Sequence, residues 1–287
     1  MELNEKDESL YARALADLKR RRERVITGKV NCIPWGLPRF EDESPGIEQG
    51  KYYLLTANSK VGKTQITDFL FLYNTVKQII DDGLDVNLKI FYFSLEMTKE
   101  EKMRSAFSNI LFQKEGVMIS PQDLRSTNAS KLLPEEYIEL IEKYEPYFKK
   151  IEEIVTFVDD VRNPTGIYKM MVNHARKTGT VHYKDVKMKE GMKPPFDYYE
   201  PHDSESYTMC IVDHIGLITP DSLDGKKLSL RESISLLSSN YFVRLRNMYN
   251  FIPVAIQQQS SAQESIENAR AGKLKPTMDG LGENKTT

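Results

Sequence analysis

Eight consecutive residues, Ala57-Asn58-Ser59-Lys60-Val61-Gly62-Lys63-Thr64, have the spacing of a phosphate-binding loop, with alanine in its first glycine position. In such a loop successive backbone N–H groups wrap a phosphate, and the loop opens onto a helix N-terminus that favours anions. Lys63 supplies a point charge to the β- and γ-phosphates. The Thr64 hydroxyl is a hard oxygen for Mg²⁺, and Gly62 permits close backbone approach. An apolar run leads in and a helical pattern leads out, which is the context the motif needs.

A loop of this kind needs a second carboxylate at the end of a neighbouring strand to hold Mg²⁺. Cys210-Ile211-Val212-Asp213 has that form; an ordinary strand followed by an Asp turn is the plainer alternative. Hydrolysis also needs a base for the attacking water. In Phe93-Ser94-Leu95-Glu96-Met97, Glu96 lies just beyond a strand whose end would open onto the same crevice. Glu96 also suits the first turn of the following helix, and the two roles are compatible. Pro253 to Ser260 runs from a strand into Gln257, Gln258 and Gln259. A neutral amide can sense a γ-phosphate through hydrogen bonds, although three glutamines also fit a polar loop.

The elements that must position these residues alternate. Strands are expected at 52–57, 89–94, 154–158, 209–212 and 253–256. Helices are expected at 65–81, 98–113, 134–150, 164–177 and 230–249, the first with its apolar stripe on Ile66, Phe69, Leu70, Tyr73, Val76 and Ile80. Strand and helix in succession predict an α/β fold, a mostly parallel sheet with helices on both faces. Residues 30–50 are broken by Pro34, Pro38 and Pro45 and read as a connection with one short strand. Residues 8–26 read as an amphipathic helix with Tyr11, Ala14, Leu15, Leu18 and Val25 near one stripe, ending in the basic run Lys19 to Arg24. That stripe must meet the body or another chain. The basic run reads as a solvated helix end, with a nucleic-acid or partner contact as the alternative. Residues 178–207 break the rhythm and read as a surface insertion with a hairpin near 181–188. His182, Asp185, His202 and Asp203 lie there, and solvated side chains are the expected reading rather than a metal site.

Composition narrows the classes. The chain has 287 residues, and 40 Lys+Arg against 42 Asp+Glu give a net charge of −2. A strongly basic nucleic-acid coat is excluded, but a local basic stripe is not. A mean hydropathy of −0.50 and no apolar run near ~20 residues argue against a membrane span. The charged N-terminus is no signal peptide. Cys32 and Cys210 cannot make a disulfide framework or a cysteine-based zinc site, which suits a reducing compartment.

The segments ANSKVGKT, FSLEM, IVDHIGLI and PVAIQQQS, in that order, resemble the DnaB-like replicative helicases of the RecA-like ATPase superfamily, phage-encoded members above all. Ser94-Leu95-Glu96-Met97 is the most telling piece. The resemblance covers about residues 30–287, apart from 178–207. It implies a RecA-like P-loop NTPase core that binds ATP and Mg²⁺ and couples hydrolysis to movement on single-stranded DNA. Lys63 and Thr64 become the phosphate and Mg²⁺ contacts, Glu96 the catalytic base, Asp213 the Mg²⁺-side carboxylate and Gln259 the coupling glutamine. Gln259 is chosen over Gln257 and Gln258 by gapless alignment on Pro253-Val254. Arg104 matches a family arginine whose role stays open, and His214 stands where the family usually has an aromatic.

The resemblance also implies a hexameric ring of identical subunits, a loader or primase as partner, no membrane, and a cytoplasmic location, that of the host for a phage protein. Residues 1–29 would be a linker helix that docks on the neighbouring subunit, and 30–287 the ATPase domain. Residues 275–287 resemble the start of the family's DNA-loop region. The final strands and the arginine given to a neighbour's ATP are then expected to be missing. A fragment of that kind would bind nucleotide, be nearly inert as an ATPase and be mostly monomeric. The rival readings are a RecA- or RadA-like recombinase and a non-motor nucleotide-binding assembly partner.

Overall fold

The computed structural model describes residues 9–58, 61–186, 194–223 and 225–259. In chain order its elements are α1 (Leu10–Ile26), β1 (Ile33–Pro34), α2 (Pro38–Glu41), β2 (Gly46–Ile47), β3 (Tyr53–Ala57), α3 (Lys63–Asp68), α4 (Asn74–Ile80), β4 (Asn87–Ser94), α5 (Lys99–Glu115), α6 (Glu135–Lys143), α7 (Glu145–Ile154) and β5 (Val155–Val158). There follow α8 (Pro164–Thr178), β6 (Gly179–Tyr183), β7 (Phe196–Pro201), β8 (Ser206–Asp213), β9 (Ser222–Leu223), β10 (Lys226–Lys227), α9 (Leu230–Ser235), α10 (Phe242–Tyr249) and β11 (Ile252–Gln258). A π-helical turn at Phe69–Tyr73 joins α3 to α4, and another at Leu236–Tyr241 joins α9 to α10.

Five strands form one sheet in the order β3-β11-β8-β4-β5, and every pairing within it is parallel. Alternate residues of each strand enter opposite cores. Ile90, Tyr92, Met209, Ile211, Val254 and Ile256 face one cluster, which also takes Phe71, Val76, Ala106 and Ile151 from α5, α7 and the 63–80 helical stretch. Phe91, Phe93, Cys210, Val212 and Ala255 face the other, with Ile167, Met171, Phe242 and Leu245 from α8 and α10. Burial on both faces is why these strands read as nearly unbroken apolar runs. The chain moves one way across the sheet from β3 to β4 to β5 and returns through β8 to β11. With crossovers of one hand, reversing direction puts the later helices on the opposite face. This is the expected α/β core.

Local differences have local causes. The expected helix at 134–150 is two helices, because Pro146 lacks an N–H and clashes with a preceding turn; it sits in the first turn of α7 instead. Ile66, expected in the core stripe, is 45% exposed, whereas Thr67 and Asp68 are buried. The wide turn at 69–73 shifts the helical phase, so a 3.6-residue stripe does not carry through it. Residues 30–50 hold two short strands, not one, with Ile33 opposite Ile47. Among the insertion residues β6 pairs with β7, Val181 opposite Tyr199, so the expected hairpin within 181–188 is replaced by a more distant pairing. Residues 187–193 lie outside the described ones. The ribbon packs its Phe196 and Tyr199 against Tyr249.

α1 begins at the Ser9 cap and buries no residue. Leu10, Tyr11 and Leu18 are exposed. Its last turns are tied to the body by Arg21–Glu48 at 2.6 Å and by Arg24, which reaches both oxygens of Glu205 at 2.6 and 2.8 Å. Two arginines of the basic run thus bind the body of the chain, and a third, Arg20, pairs with Asp17 within α1. The hydrogen bonds from Arg24, helped by Lys29 and opposed by burial, pull the Glu205 carboxyl down to about 2. A depressed carboxyl contributes stability that is complete above the ~4.3 of a free glutamate and fades as pH falls through its folded value. The difference in melting midpoint between wild type and Glu205→Gln should therefore shrink steadily from about pH 5 to about pH 2. A constant difference over that range would show that the ion pair does not hold α1.

Candidate nucleotide-binding site

The carboxyl ends of β3, β11, β8 and β4 stand side by side. Ala57 is the last residue of β3, and Asn58 follows it, partly buried. Ser59 and Lys60 lie outside the described residues. Val61 is exposed, and Gly62 caps α3 at φ +87°. The space around Gly62 would admit a Cβ, with Gln65 Oε1 nearest at 3.7 Å. It is the left-handed backbone, not crowding, that calls for glycine. Lys63 and Thr64 are the first two residues of α3, both half-buried.

Asp213 ends β8, opposite Ser94 of β4 on one side and Ile256 of β11 on the other. It is 3% exposed. The Tyr92 hydroxyl lies 3.2 Å from its Oδ2, while its Oδ1 is buried without a hydrogen-bond partner among the described residues. A buried carboxylate oxygen left this way is costly unless something binds it. That oxygen and the Thr64 hydroxyl are both hard oxygen donors, the type that suits Mg²⁺.

Glu96 sits in the bend between β4 and α5 with its side chain exposed. It does not start the helix. Thr98 caps α5 and Glu101 closes the capping box. The backbone around Glu96 is fixed, however. The Leu95 N–H donates to the Asp213 carbonyl at 2.8 Å, the Leu95 carbonyl accepts from Arg162 Nη2 at 2.5 Å, and Ser94 Oγ donates to the Met97 carbonyl at 2.6 Å. Arg162 also reaches the Leu217 carbonyl at 3.5 Å, so one guanidinium braces the loops that follow both β4 and β8.

Gln259 follows β11 and is buried. Its N–H donates to the Ala57 carbonyl at 2.9 Å, and its amide to Thr56 Oγ1. It therefore touches the strand that leads into the phosphate loop, whereas Gln258 is exposed. His214 is half-buried. Burial pushes its pKa down and the positive charge of Lys63 adds to that, while Asp213 and Glu96 oppose it. Arg104, on α5, lies 3.8 Å from Glu101.

Sequence reasoning missed Tyr92, Asp68, Lys102 and Arg162. Tyr92 reads as one more apolar strand residue and Asp68 as a polar position on a helix. No local spacing relates either to Lys102 or Asp213. Among the described residues no cluster of three or more His, Cys, Asp and Glu is arranged to hold a metal, so His182, Asp185, His202 and Asp203 do not form one. No helix among them is long and apolar enough to cross a membrane.

The sequence matches no protein-family model and no curated protein. Solved structures do match. A DnaB-like replicative helicase, described with its interactions with primase, superposes over 96% of this chain with a TM-score of 0.61 at 16% identity. A second solved structure, described as an ATPase domain, superposes over 96% with a TM-score of 0.59, also at 16% identity. The chain spans 53% of the first and 79% of the second. At this identity the likeness is one of fold: an α/β P-loop NTPase core of the kind found in helicase ATPase domains.

Proposed function

We propose that this chain is the ATP-hydrolysing motor domain of a DnaB-like replicative helicase, working on single-stranded DNA in a ring of identical subunits, with a primase or loader as partner. The observation that carries the reading is the convergence of three motifs at one sheet end. The segment 57–64 opens onto α3, Asp213 ends β8 with a buried oxygen that has no hydrogen-bond partner among the described residues, and Glu96 is held one strand away on a braced loop.

The chemistry follows from those positions. Backbone N–H groups at the start of α3 receive the phosphates of ATP, and Lys63 neutralises the β- and γ-oxygens. Thr64 and Asp213 would hold Mg²⁺, which when bound would offset charge on the phosphate oxygens. Glu96 accepts the proton of the attacking water. Gln259, joined to Thr56 and Ala57, links the state of the phosphate loop to β11. Phosphate release and ATP-dependent unwinding of a forked duplex by the ring-forming protein test the proposal. Nucleotide binding without DNA-stimulated turnover in that form would replace the motor by a non-motor binding module. DNA-stimulated turnover with filaments and no unwinding would favour a recombinase.

A further inference from the structure

Below the carboxyl ends of β4 and β8 lies a charged cluster that none of the four motifs includes. Lys102 of α5 is 1% exposed. It donates to both oxygens of Asp68, on α3, at 2.8 and 2.7 Å. Its ammonium also sits 4.0 Å from the ring centroid of Tyr92. The Tyr92 hydroxyl lies 2.7 Å from Asp68 Oδ1 and 3.2 Å from Asp213 Oδ2. The cluster thus runs without a break from α5 through α3 and β4 to the candidate Mg²⁺ carboxylate on β8.

Stability is a weak reason for such a cluster. Taking an ammonium and a carboxylate out of water costs about as much as their attraction returns, and well-packed apolar residues often serve as well. Position is a better one. A carboxylate at the end of a strand can turn about its side-chain torsions, and an outer hydrogen bond is the usual means of stopping it. Tyr92 meets Oδ2 from the core side and leaves Oδ1 uncommitted. A tyrosine hydroxyl carries a single proton, and here two carboxylates share it. Asp68 does not depend on that share, because Lys102 already serves both of its oxygens.

We infer that Tyr92, seated on the Asp68–Lys102 pair, is a positioning residue for Asp213: it fixes Oδ2 so that Oδ1 is presented to the cation of a Mg²⁺–nucleotide. The inference rests on the proposed role of Asp213. It gives the buried pair a task as well, since the pair fastens α3, which begins at the phosphate loop, to α5, which begins after Glu96.

The test is Tyr92→Phe, which removes one oxygen and keeps the ring packed against Phe157 and Lys102. The affinity for ADP is measured by calorimetry in Mg²⁺ and in EDTA, with a thermal melt to verify folding. ADP affinity in EDTA should be unchanged. The gain in affinity that Mg²⁺ brings should fall about tenfold, the low end of what outer partners of metal ligands contribute. In an Asp213→Asn background the same change should have no effect on that gain, because the group being positioned is gone. An undiminished Mg²⁺ gain in Tyr92→Phe overturns the inference. So does an equal loss with and without Mg²⁺, or a loss that persists beside Asp213→Asn; either marks a merely structural hydroxyl. If wild type itself shows no Mg²⁺ gain, the role of Asp213 falls first and this inference with it.

Discussion

Lys63→Ala should abolish detectable ATP binding while leaving the thermal melt unchanged or slightly raised. Lys63 opens α3, where the helix dipole is positive and a cation is disfavoured by ~0.3–1 kcal/mol. Its side chain forms no ion pair with a described residue. The local contact at this position, from Thr67 Oγ1 to the Lys63 carbonyl at 2.9 Å, belongs to the backbone and survives the substitution. Alanine is also the better helix former. The folded protein therefore loses nothing by the change. On the proposed reading the triphosphate loses the Lys63 charge at its β- and γ-oxygens. Equal ATP affinity in wild type and variant by calorimetry would remove the phosphate loop from the account.

Glu96→Gln should keep ATP binding and lower turnover by ~10²–10⁴-fold, the usual loss when a general base is removed. Shape is conserved, and the loop is held by Ser94, Leu95 and Arg162 rather than by the Glu96 side chain. Binding and folding should both survive. The informative control is Glu101→Gln. It exchanges the charged acceptor of the α5 capping box for a neutral one that can still accept from the Thr98 N–H, so it should change the melting midpoint little and spare turnover. Phosphate release measured in the ring-forming protein decides the matter. Unchanged turnover in Glu96→Gln would make Glu96 an ordinary loop carboxylate.

Much of this could be read from the chain. Strands buried on both faces announce themselves as apolar runs, so β4 and β8 were legible in place, although 209–212 covers only half of β8 and 89–94 starts two residues inside β4. Their closing residues, Ser94 and Asp213, were legible with them. The segment 57–64 stands out because a phosphate loop demands particular residue types at fixed spacing, and the strand before it and the helix after it lie where that reading needs them. What stayed hidden depends on pairing between distant segments. Nothing local in 179–183 names 196–201 as its partner. Asp68 and Lys102 are 34 residues apart and each, taken alone, is a charge on a helix, the kind of residue normally left in water. Ile66 misled for a related reason, since a wide turn within the helix changes which face is buried without altering the pattern of residue types.

The two halves of the site are set in place by different kinds of force, and they should differ in how much change they tolerate. Asp213 and the backbone before Glu96 are spaced by ladder hydrogen bonds between adjacent parallel strands, a fixed pitch of ~4.8 Å that does not depend on which side chains fill the core. Lys63 and Thr64 ride on a helix that is seated on the sheet by side chains such as Leu70, Phe71 and Val76, where a single methylene is felt. Drift in core sequence should therefore move the phosphate half against the carboxylate half and leave the carboxylates in register with each other. The Asp68–Lys102–Tyr92 cluster is a polar bridge between those halves, and it would act as their alignment pin.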